Sequence, residues 1–399
     1  MANTNLINDI VLPGSMVNFR NNSVITNAIK PHYDDTYKFN GAKAGQAINL
    51  RTHQEVTVRE DTFNMAVQDV EQKSVALTRS KVFGVDISYT DAELTQDVDG
   101  FLEYRVKPIM STLAAKVDSY VYQQLALGVA NSVVLPVTNI DSDDILLAGV
   151  YLDNASAPRD GSRTVVLNPN GMKQLVSSSA AQFNNAKNIS QQYTDGIVSL
   201  PSLGFNFGMS QNVNSFTTGA RNTASVVNAP PVSGGTTCTI QTGSGSIVVG
   251  ESFTFAGCYE VNKLTKQSTG NLKKFVTTAA SAGGSVTLTF LPAIISSGPF
   301  QNVDALPIAT AAVAFMGTAS TAYPQALAFH PDFAAIGFCD LENPEPGSGA
   351  KGSRMVEDGV SMSVLTGYDI RTRQRYMRWD ILMGVALVEP SMACRIFTP

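Results

Sequence analysis

Charge is what this chain has least of: Asp, Glu, Lys and Arg make up 15% of its 399 residues, where an ordinary soluble domain carries about 25%. A deficit of that size points to surface that ends up against neighbours, or to strand-rich architecture with Ser/Thr-rich faces. The formal net charge of -5 excludes a globally basic nucleic-acid binder, so any contact with DNA is local or weak. Cysteine is scarce as well. Cys238, Cys258, Cys339 and Cys394 stand far apart with no C-x-x-C pair, and read as reduced thiols packed as small apolar side chains. His32, His53 and His330 form no H-x-x-x-H or H-E-x-x-H pattern, and no G-x-S-x-G elbow links a strand to a helix. The opening MANTNLINDIVLPG lacks a basic n-region, and no stretch reaches the ~18 apolar residues needed to cross a bilayer. The nearest, Ala305 to Met316, is short and contains Pro307. The chain is expected to be made and used in cytoplasm, with no cofactor, no metal and no membrane.

At roughly 100 to 200 residues per domain, two or three domains are expected. Residues 1–40, with Pro13, Pro31 and several Asn, predict an extended arm with at most one short helix. From Ala47 to Tyr89 the words AINLR, EVTVRE, SVALTR and VFGVDIS alternate apolar and polar residues, which predicts a long β-ribbon joined by the polar segment Arg59 to Gln72. Such a ribbon is marginal alone and needs a partner surface. Residues 101–128 carry the strongest helical signal: Val106, Ile109, Met110, Leu113, Val117, Tyr120, Val121 and Leu125 fall on one stripe. Asp97, Asp99 and Glu103 stand at its start, Pro108 in its first turns and Gly128 at its end. TVVLNPNGMKQLV (164–176) predicts strand, turn and helix. Residues 222–317 then lose almost all charge and break into short strands between Gly-rich turns, which predicts a separate all-β module inserted into a host domain. Strands return in GVSMSVLTGYDI and RTRQRYMRWDILMGVALVEP. The fold class is α+β, without the βαβ alternation of a doubly wound sheet.

The remaining motifs favour bland roles. The adjacent carboxylates Asp34-Asp35 and Asp143-Asp144 cannot face each other on a strand or a helix, so turn or cap duty is expected. GSGAKGSR (347–354) lacks the G-K-[ST] order of a phosphate loop and is expected to be a flexible surface loop. Arg371, Arg373 and Arg375 recur with period two, which on a strand sets all three on one face for ion pairing with a neighbour or for sequence-independent DNA contact. Arg51, Arg59, Glu60, Glu71 and Arg79 on the ribbon are further candidates for pairing with the next subunit. Exposed pairs contribute only about 0 to 1 kcal/mol each.

The words KSVALTRSKVFGVDISYTDAEL (73–94), FLEYRVKPIMSTLAAKVD, VVLNPNGMKQLV (165–176), SLGFNFGMSQNV (202–213), GESFTFAGCYEVNKLTKQSTG (250–270) and GVSMSVLTGYDIRTRQRYMRWDILMGVALVEPSMACRI (359–396) resemble, in this order, the coat proteins of short-tailed phages that carry an inserted β-barrel. The first 70 residues are similar only in layout. This resemblance implies the tailed-phage major capsid fold: an N-terminal arm (1–40), an extended hairpin loop (41–90), a peripheral domain with a spine helix (91–139, helix 101–128), a discontinuous axial domain (140–221 and 318–370), the inserted domain (222–317) and returning C-terminal strands (371–399). It also implies a structural protein, not an enzyme, whose identical copies form pentamers and hexamers of an icosahedral virion shell around double-stranded DNA, with a portal protein as partner. Because residues 1–40 are neither highly charged nor periodic, a separate scaffolding protein is expected. The rival readings are a cargo-loaded nanocompartment of the same fold, a β-sandwich adhesin built around 222–317, and, weakest, a hydrolase.

Overall fold

The structure, a computed structural model, describes residues 5–29, 31–33, 48–56, 73–90, 105–135, 139–179, 201–221, 225–241, 245–282, 285–344 and 349–397. In chain order the elements are α1 (Asn5–Asn22), α2 (Ile25–Ala28), β1 (Pro31–Tyr33), β2 (Ile48–Arg51), β3 (Ser74–Leu77), β4 (Lys81–Thr90), α3 (Lys107–Gly128), β5 (Ser132–Val134), α4 (Ser142–Asn154), β6 (Thr164–Leu167), α5 (Pro169–Ser179), β7 (Asn206–Met209), β8 (Ser215–Thr217), β9 (Val226–Ala229), β10 (Gly235–Gln241), β11 (Ser252–Val261), β12 (Ser268–Thr277), β13 (Ser285–Ile294), β14 (Val313–Phe315), β15 (Ala322–Phe329), β16 (Ala334–Cys339), β17 (Ala350–Glu357), β18 (Val360–Asp369), β19 (Gln374–Leu387) and β20 (Ala393–Phe397). They group into two units, one of residues 1–50, 75–121 and 334–386, the other of 51–74, 122–333 and 387–399.

In the first unit the N-terminal segment is helical, not an extended arm. Val11, Leu12, Met16 and Phe19 recur at helical spacing and are buried, while Pro13 lies on the exposed side of α1. A proline inside a helix costs about 3 kcal/mol, and burying four such side chains at roughly 1.5–3 kcal/mol each outweighs it. α1 packs on β17 and β18, and the fully buried Trp379 of β19 donates its indole N–H to Ser15 Oγ at 3.2 Å. The sheet runs β1-β16-β19-β18-β17, with β4 also paired to β19.

That last pairing revises the ribbon. β4 aligns with β19 over ten residues, from Lys81 opposite Met383 to Thr90 opposite Gln374, so it belongs to the sheet. Among the described residues the two-stranded ribbon consists of β2 and β3, and the alternation that predicted a long hairpin is equally the signature of a sheet strand. Likewise β16, β17 and β18, expected in a discontinuous domain with residues 140–221, are strands of this same sheet. Ala350 to Arg354, expected in a flexible loop, open the strand β17. Where β19 passes the 78–80 segment a side chain has no room: a Cβ on Gly384 would sit 2.1 Å from the Thr78 carbonyl oxygen. Gly384→Ala is therefore expected to lower the unfolding free energy by about 1–3 kcal/mol in urea titrations.

In the second unit, α4 begins with a capping box in which the Asp141 side chain accepts the Asp143 and Asp144 N–H groups while Asp144 accepts the Asp141 N–H. The Asp143-Asp144 pair thus has cap duty. α5 begins at Pro169, inside the turn expected at residues 168–171, since Asn168 caps it by accepting the Gly171 N–H at 2.7 Å and Pro169 stands in its first turn. One sheet of this unit runs β5-β20-β15-β6-β7, with β8 also on β15.

Residues between Val226 and Phe315 build their own sheet, β14-β11-β12-β13-β10-β9. Its two ends meet: the Val227 N–H donates to the Ala311 carbonyl (2.9 Å), the Thr310 N–H to the Val227 carbonyl (2.8 Å), and Val226 bridges Ala312. Closure into a barrel removes the free strand edges that a low-charge sheet would otherwise expose. Phe253, Phe255, Phe275 and Phe290 fill its core with ring centroids 5.1 to 5.9 Å apart.

Candidate functional site

One cluster among the described residues has the composition of a hydrolytic triad. Ser162 Oγ lies 2.9 Å from His330 Nε2, and Asp160 lies 3.4 Å from the same nitrogen. The proton directions are wrong for catalysis. His330 Nδ1 accepts the Asp332 N–H at 3.3 Å, which leaves the ring proton on Nε2, and the Ser162 hydroxyl donates to Asp160 at 2.6 Å. The serine proton is directed at Asp160 and not at the imidazole, unlike the arrangement of a serine–histidine relay. The hydrogen bonds from the Ser162 hydroxyl and backbone N–H hold the Asp160 carboxyl well below the usual carboxylate range. The cluster works as a clasp between the loop after α4 and the end of β15. No group of three His, Cys, Asp or Glu side chains among the described residues is arranged to hold a metal ion. No helix among them is long and apolar enough to cross a membrane. A cavity of about 290 Å³ in the first unit is lined by Val17, Arg20, Asn21, Asn27 and Glu357, but Arg20 is committed to Asp358.

The chemistry of this molecule is concentrated in a polar seam around the barrel's attachment. Arg221, in the chain entering the barrel, pairs with Glu251 at 3.1 Å with both side chains buried, and also donates to the carbonyls of Met316 and Gly317 in the chain leaving it. Glu251 Oε1 accepts the Gly219 N–H, so one ion pair ties both connections. Burial pushes the Glu251 carboxyl up and the Arg221 guanidinium down, each opposed by its partner. Arg395 of β20 is fully buried, and among the described residues no carboxylate pairs with it. It donates to the Gly250 carbonyl (2.8 Å) and to Ser252 Oγ, and lies against the Phe216 and Phe397 rings. Burial lowers it to about 10. Lys274 of β12 donates to the Ser132 carbonyl and to Tyr151 Oη at 2.7 Å. The strands between Val226 and Phe315 thus have a core of their own and share buried polar bonds with β20 and the segments around Ser132 and Tyr151.

Lys263 pairs with Glu389 and donates to Ser391 Oγ at 2.9 Å. Burial raises the Glu389 carboxyl, but Lys263 and Ser391 together bring it below its ordinary range. A depressed carboxylate contributes stability above its unfolded pKa and loses it as the pH falls through the folded one. Lys263→Met is expected to cost about 0.5–1 kcal/mol near neutral pH in denaturant titrations, and the difference from wild type should vanish on acidification.

The sequence-selected contact residues divide. Arg51 is exposed on β2, whereas Arg59, Glu60 and Glu71 lie outside the described residues, as do Asp34 and Asp35. Arg79 is not on the surface: it is 5% exposed, its chain beside the Gly337 backbone, so it is withdrawn from a neighbour's reach. Arg371, Arg373 and Arg375 do not share a strand face. Arg371 and Arg373 occupy the turn between β18 and β19, Arg373 with a φ of 50°, and only Arg375 is on a strand, its guanidinium 5.8 Å from the Tyr368 ring. Period two lost to turn geometry there because Asp369 accepts the Arg371 N–H at 2.9 Å and the Thr372 hydroxyl at 3.1 Å. Two ribbon residues were missed, Glu55, 3.3 Å from Lys266, and Lys73, 3.5 Å from the Phe300 ring centre. Nothing local in the sequence marks them, because their partners are about 200 residues away in the chain.

Comparison with known proteins supplies the family. The model of the P22 coat protein, gene protein 5, matches residues 3–398. Among solved structures, one from Mycobacterium phage Che8 is 13% identical, covering 94% of this chain and 90% of that chain with a TM-score of 0.47. The capsid of Ralstonia phage GP4 is 7% identical over 96% and 91%, with a TM-score of 0.46. The CUS-3 coat protein I-domain is 26% identical over 24% of this chain and 98% of that chain, with a TM-score of 0.20. No curated protein matches. With the family match running from α1 through β20, the chain belongs to the P22 coat protein family and is a phage major capsid protein, a virion component whose identical copies form the shell.

Proposed function

We propose that copies of this chain form pentamers and hexamers that close into an icosahedral shell around double-stranded DNA. The observation that carries this reading is the coat-family match along 3–398 of a chain with few charges. Within it, α3 is the spine helix of the peripheral domain, β2 and β3 are the root of the extended loop, the sheet of β5, β6, β7, β15 and β20 belongs to the axial domain, and the closed barrel is the inserted domain. Arg51, Arg59, Glu60, Glu71, Arg371, Arg373 and Arg375 contact neighbouring copies. A separate scaffolding protein guides assembly in the host cytoplasm, a portal protein occupies one vertex, and DNA is met only by sequence-independent contact. A heterologous contact repeated about closed axes gives rings, and each such contact of standard size buries roughly 1,200–2,000 Å².

The test is to express the chain alone and with the head-gene products encoded beside it, then examine the products by sedimentation and electron microscopy. Closed particles with five- and sixfold clusters are expected. Monomers or small oligomers under every condition would overturn the reading, and closed particles that enclose an enzyme in place of DNA would favour a nanocompartment.

A further inference from the structure

A short two-stranded ribbon does not hold its own direction. Among the described residues β2 and β3 pair with each other alone, four residues apiece, and a lone hairpin of that size is marginal in water. Residues 51–74 fall in the same unit as the barrel strands, and both sides of the ribbon are gripped there. On the outgoing side Glu55 Oε2 lies 3.3 Å from Lys266 Nζ in the turn between β11 and β12, the two side chains only 22% and 19% exposed. On the returning side Lys73 Nζ stands 3.5 Å above the centre of the Phe300 ring. Thr52 ties the two sides together at that level, its N–H and its hydroxyl donating to the Lys73 carbonyl at 3.0 and 3.1 Å.

The barrel is shaped to hold this pose. The Asn262 side chain accepts the Leu264 and Thr265 N–H groups at 2.9 and 3.1 Å, and its backbone carbonyl accepts the Lys266 N–H at 3.0 Å. Lys266 itself has a φ of 54°, a left-handed conformation that a lysine seldom takes and that persists only where its surroundings impose it. Burial of the turn's own apolar side chain is not the reason, since Leu264 is 78% exposed. What that backbone achieves is to send Lys266 Nζ to Glu55 and to the Pro299 carbonyl, one residue before Phe300. One lysine thus joins the turn, the 299–300 segment and the ribbon. A second lysine of the same turn, Lys263, is bound to Glu389 and Ser391, and His53 of the ribbon lies close enough to Glu389 to favour its charged form.

We infer that the barrel is a latch on the root of the ribbon, a two-point grip through Lys266 on Glu55 and Phe300 on Lys73 that presets the direction in which the chain leaves Val56 and returns to Lys73. A charge-assisted hydrogen bond and a cation held over a ring both have a preferred geometry, so the grip orients the ribbon as well as tethering it. Each contact is partly solvated and weak singly, which makes the grip releasable. A ribbon already aimed loses less conformational entropy when a neighbouring copy takes it up. That last consequence rests on the shell-subunit reading above, whereas the latch itself does not.

The experiment uses the full chain, two single variants confined to the ribbon, Glu55→Lys and Lys73→Met, and the charge swap Glu55→Lys/Lys266→Glu. Hydrogen exchange of the unassembled subunit reads the latch, thermal unfolding reads the fold, and sedimentation with electron microscopy of the chain expressed with its head-gene partners reads assembly. Amide exchange at residues 51–56 and 73–74 is expected to rise at least about fivefold in Glu55→Lys and about threefold in Lys73→Met, with protection of β11, β12 and β13 and the unfolding temperature unchanged. The swap should bring exchange back to within about twofold of wild type, because it restores the pair with its charges reversed. Glu55→Lys should also lower the yield of closed shells, and the swap should recover it. Wild-type exchange in both single variants would overturn the latch and leave the shell reading untouched. Faster exchange spread equally through β11, β12 and β13 would overturn it as well, since the contacts would then serve only the barrel's own stability. Faster exchange confined to the ribbon, with shells of normal yield and form, would overturn the preset direction as an aid to assembly. A wild-type chain that forms no shells with any partner would overturn the shell reading, and the exchange results alone would then decide the latch.

Discussion

Glu251→Ala is expected to cost about 3–5 kcal/mol, because it strands a buried guanidinium. Arg221 is almost fully buried, and its pairing with Glu251 is what makes burying that charge tolerable. The same carboxylate accepts the Gly219 N–H, so the substitution also leaves a buried donor unmet, a further part of the loss. The effect should fall on the barrel's attachment first, since Arg221 holds the carbonyls of Met316 and Gly317 at the chain's exit. Urea titration of the monomer, followed by hydrogen exchange, is the measurement. Protection should drop at residues 219–221 and 316–321 before it drops in the Phe253–Phe290 core. The double change Arg221→Met/Glu251→Leu removes both charges and should recover a large part of the stability, which separates the cost of a stranded charge from the worth of the pair. If Glu251→Ala proves neutral, the Arg221–Glu251 pair is not what holds the barrel's ends.

Asp118→Ala is expected to be of similar size, about 3–5 kcal/mol, by a different route. The buried Asp118 carboxylate of α3 accepts the N–H groups of Val24 (2.7 Å), Ile25 (3.3 Å) and Thr26 (3.2 Å) and the Thr26 hydroxyl (2.5 Å), so it caps α2 and fastens the N-terminal helices to α3. Alanine leaves several buried donors unsatisfied at about 1–3 kcal/mol each. Asp118→Asn, which keeps one acceptor oxygen, should lose roughly half as much by the same principle. Faster hydrogen exchange confined to residues 5–29 is the signature to look for. Acidity adds a second readout. Burial raises the Asp118 carboxyl above its ordinary value, against the pull of its hydrogen bonds. The folded state therefore holds this proton more tightly than the unfolded one, so Asp118's contribution to stability increases as the pH falls from above the raised pKa toward the ordinary carboxylate range. Asp118→Asn should abolish that slope, and an unchanged slope would assign it to another group.

Helices and strands with a strong period were legible before any coordinates. Of the expected helical stripe, Val106, Met110, Leu113, Val117, Val121 and Leu125 are buried while Ile109 and Tyr120 are half-buried, and in the passage at 164–179 the helix begins at Pro169, inside the expected turn. The α1 stripe was equally periodic but hidden by Pro13 and neighbouring asparagines, residues that usually mark irregular chain. Its helix is stable only because the sheet of β17, β18 and β19 buries it. The contact candidates fared unevenly for a related reason. Alternation cannot distinguish a strand face from a turn, so three arginines at period two became two turn residues and one strand residue.

Composition and word order by themselves determined the class of this protein: a charge-poor α+β chain with an all-β segment between residues 222 and 317 and the word order of a phage coat. Those properties depend on local periodicity and on residue chemistry, which the one-dimensional string carries. Tertiary structure alone decided that β4 joins β19, that the barrel closes through Val227, Thr310 and Ala311, that Arg79 is buried, and that Arg221, Glu251 and Arg395 form the polar seam. Each of these is a pairing between residues far apart in the chain, and the free energy that selects it, desolvation balanced against hydrogen bonds and charge, does not exist until the partners meet.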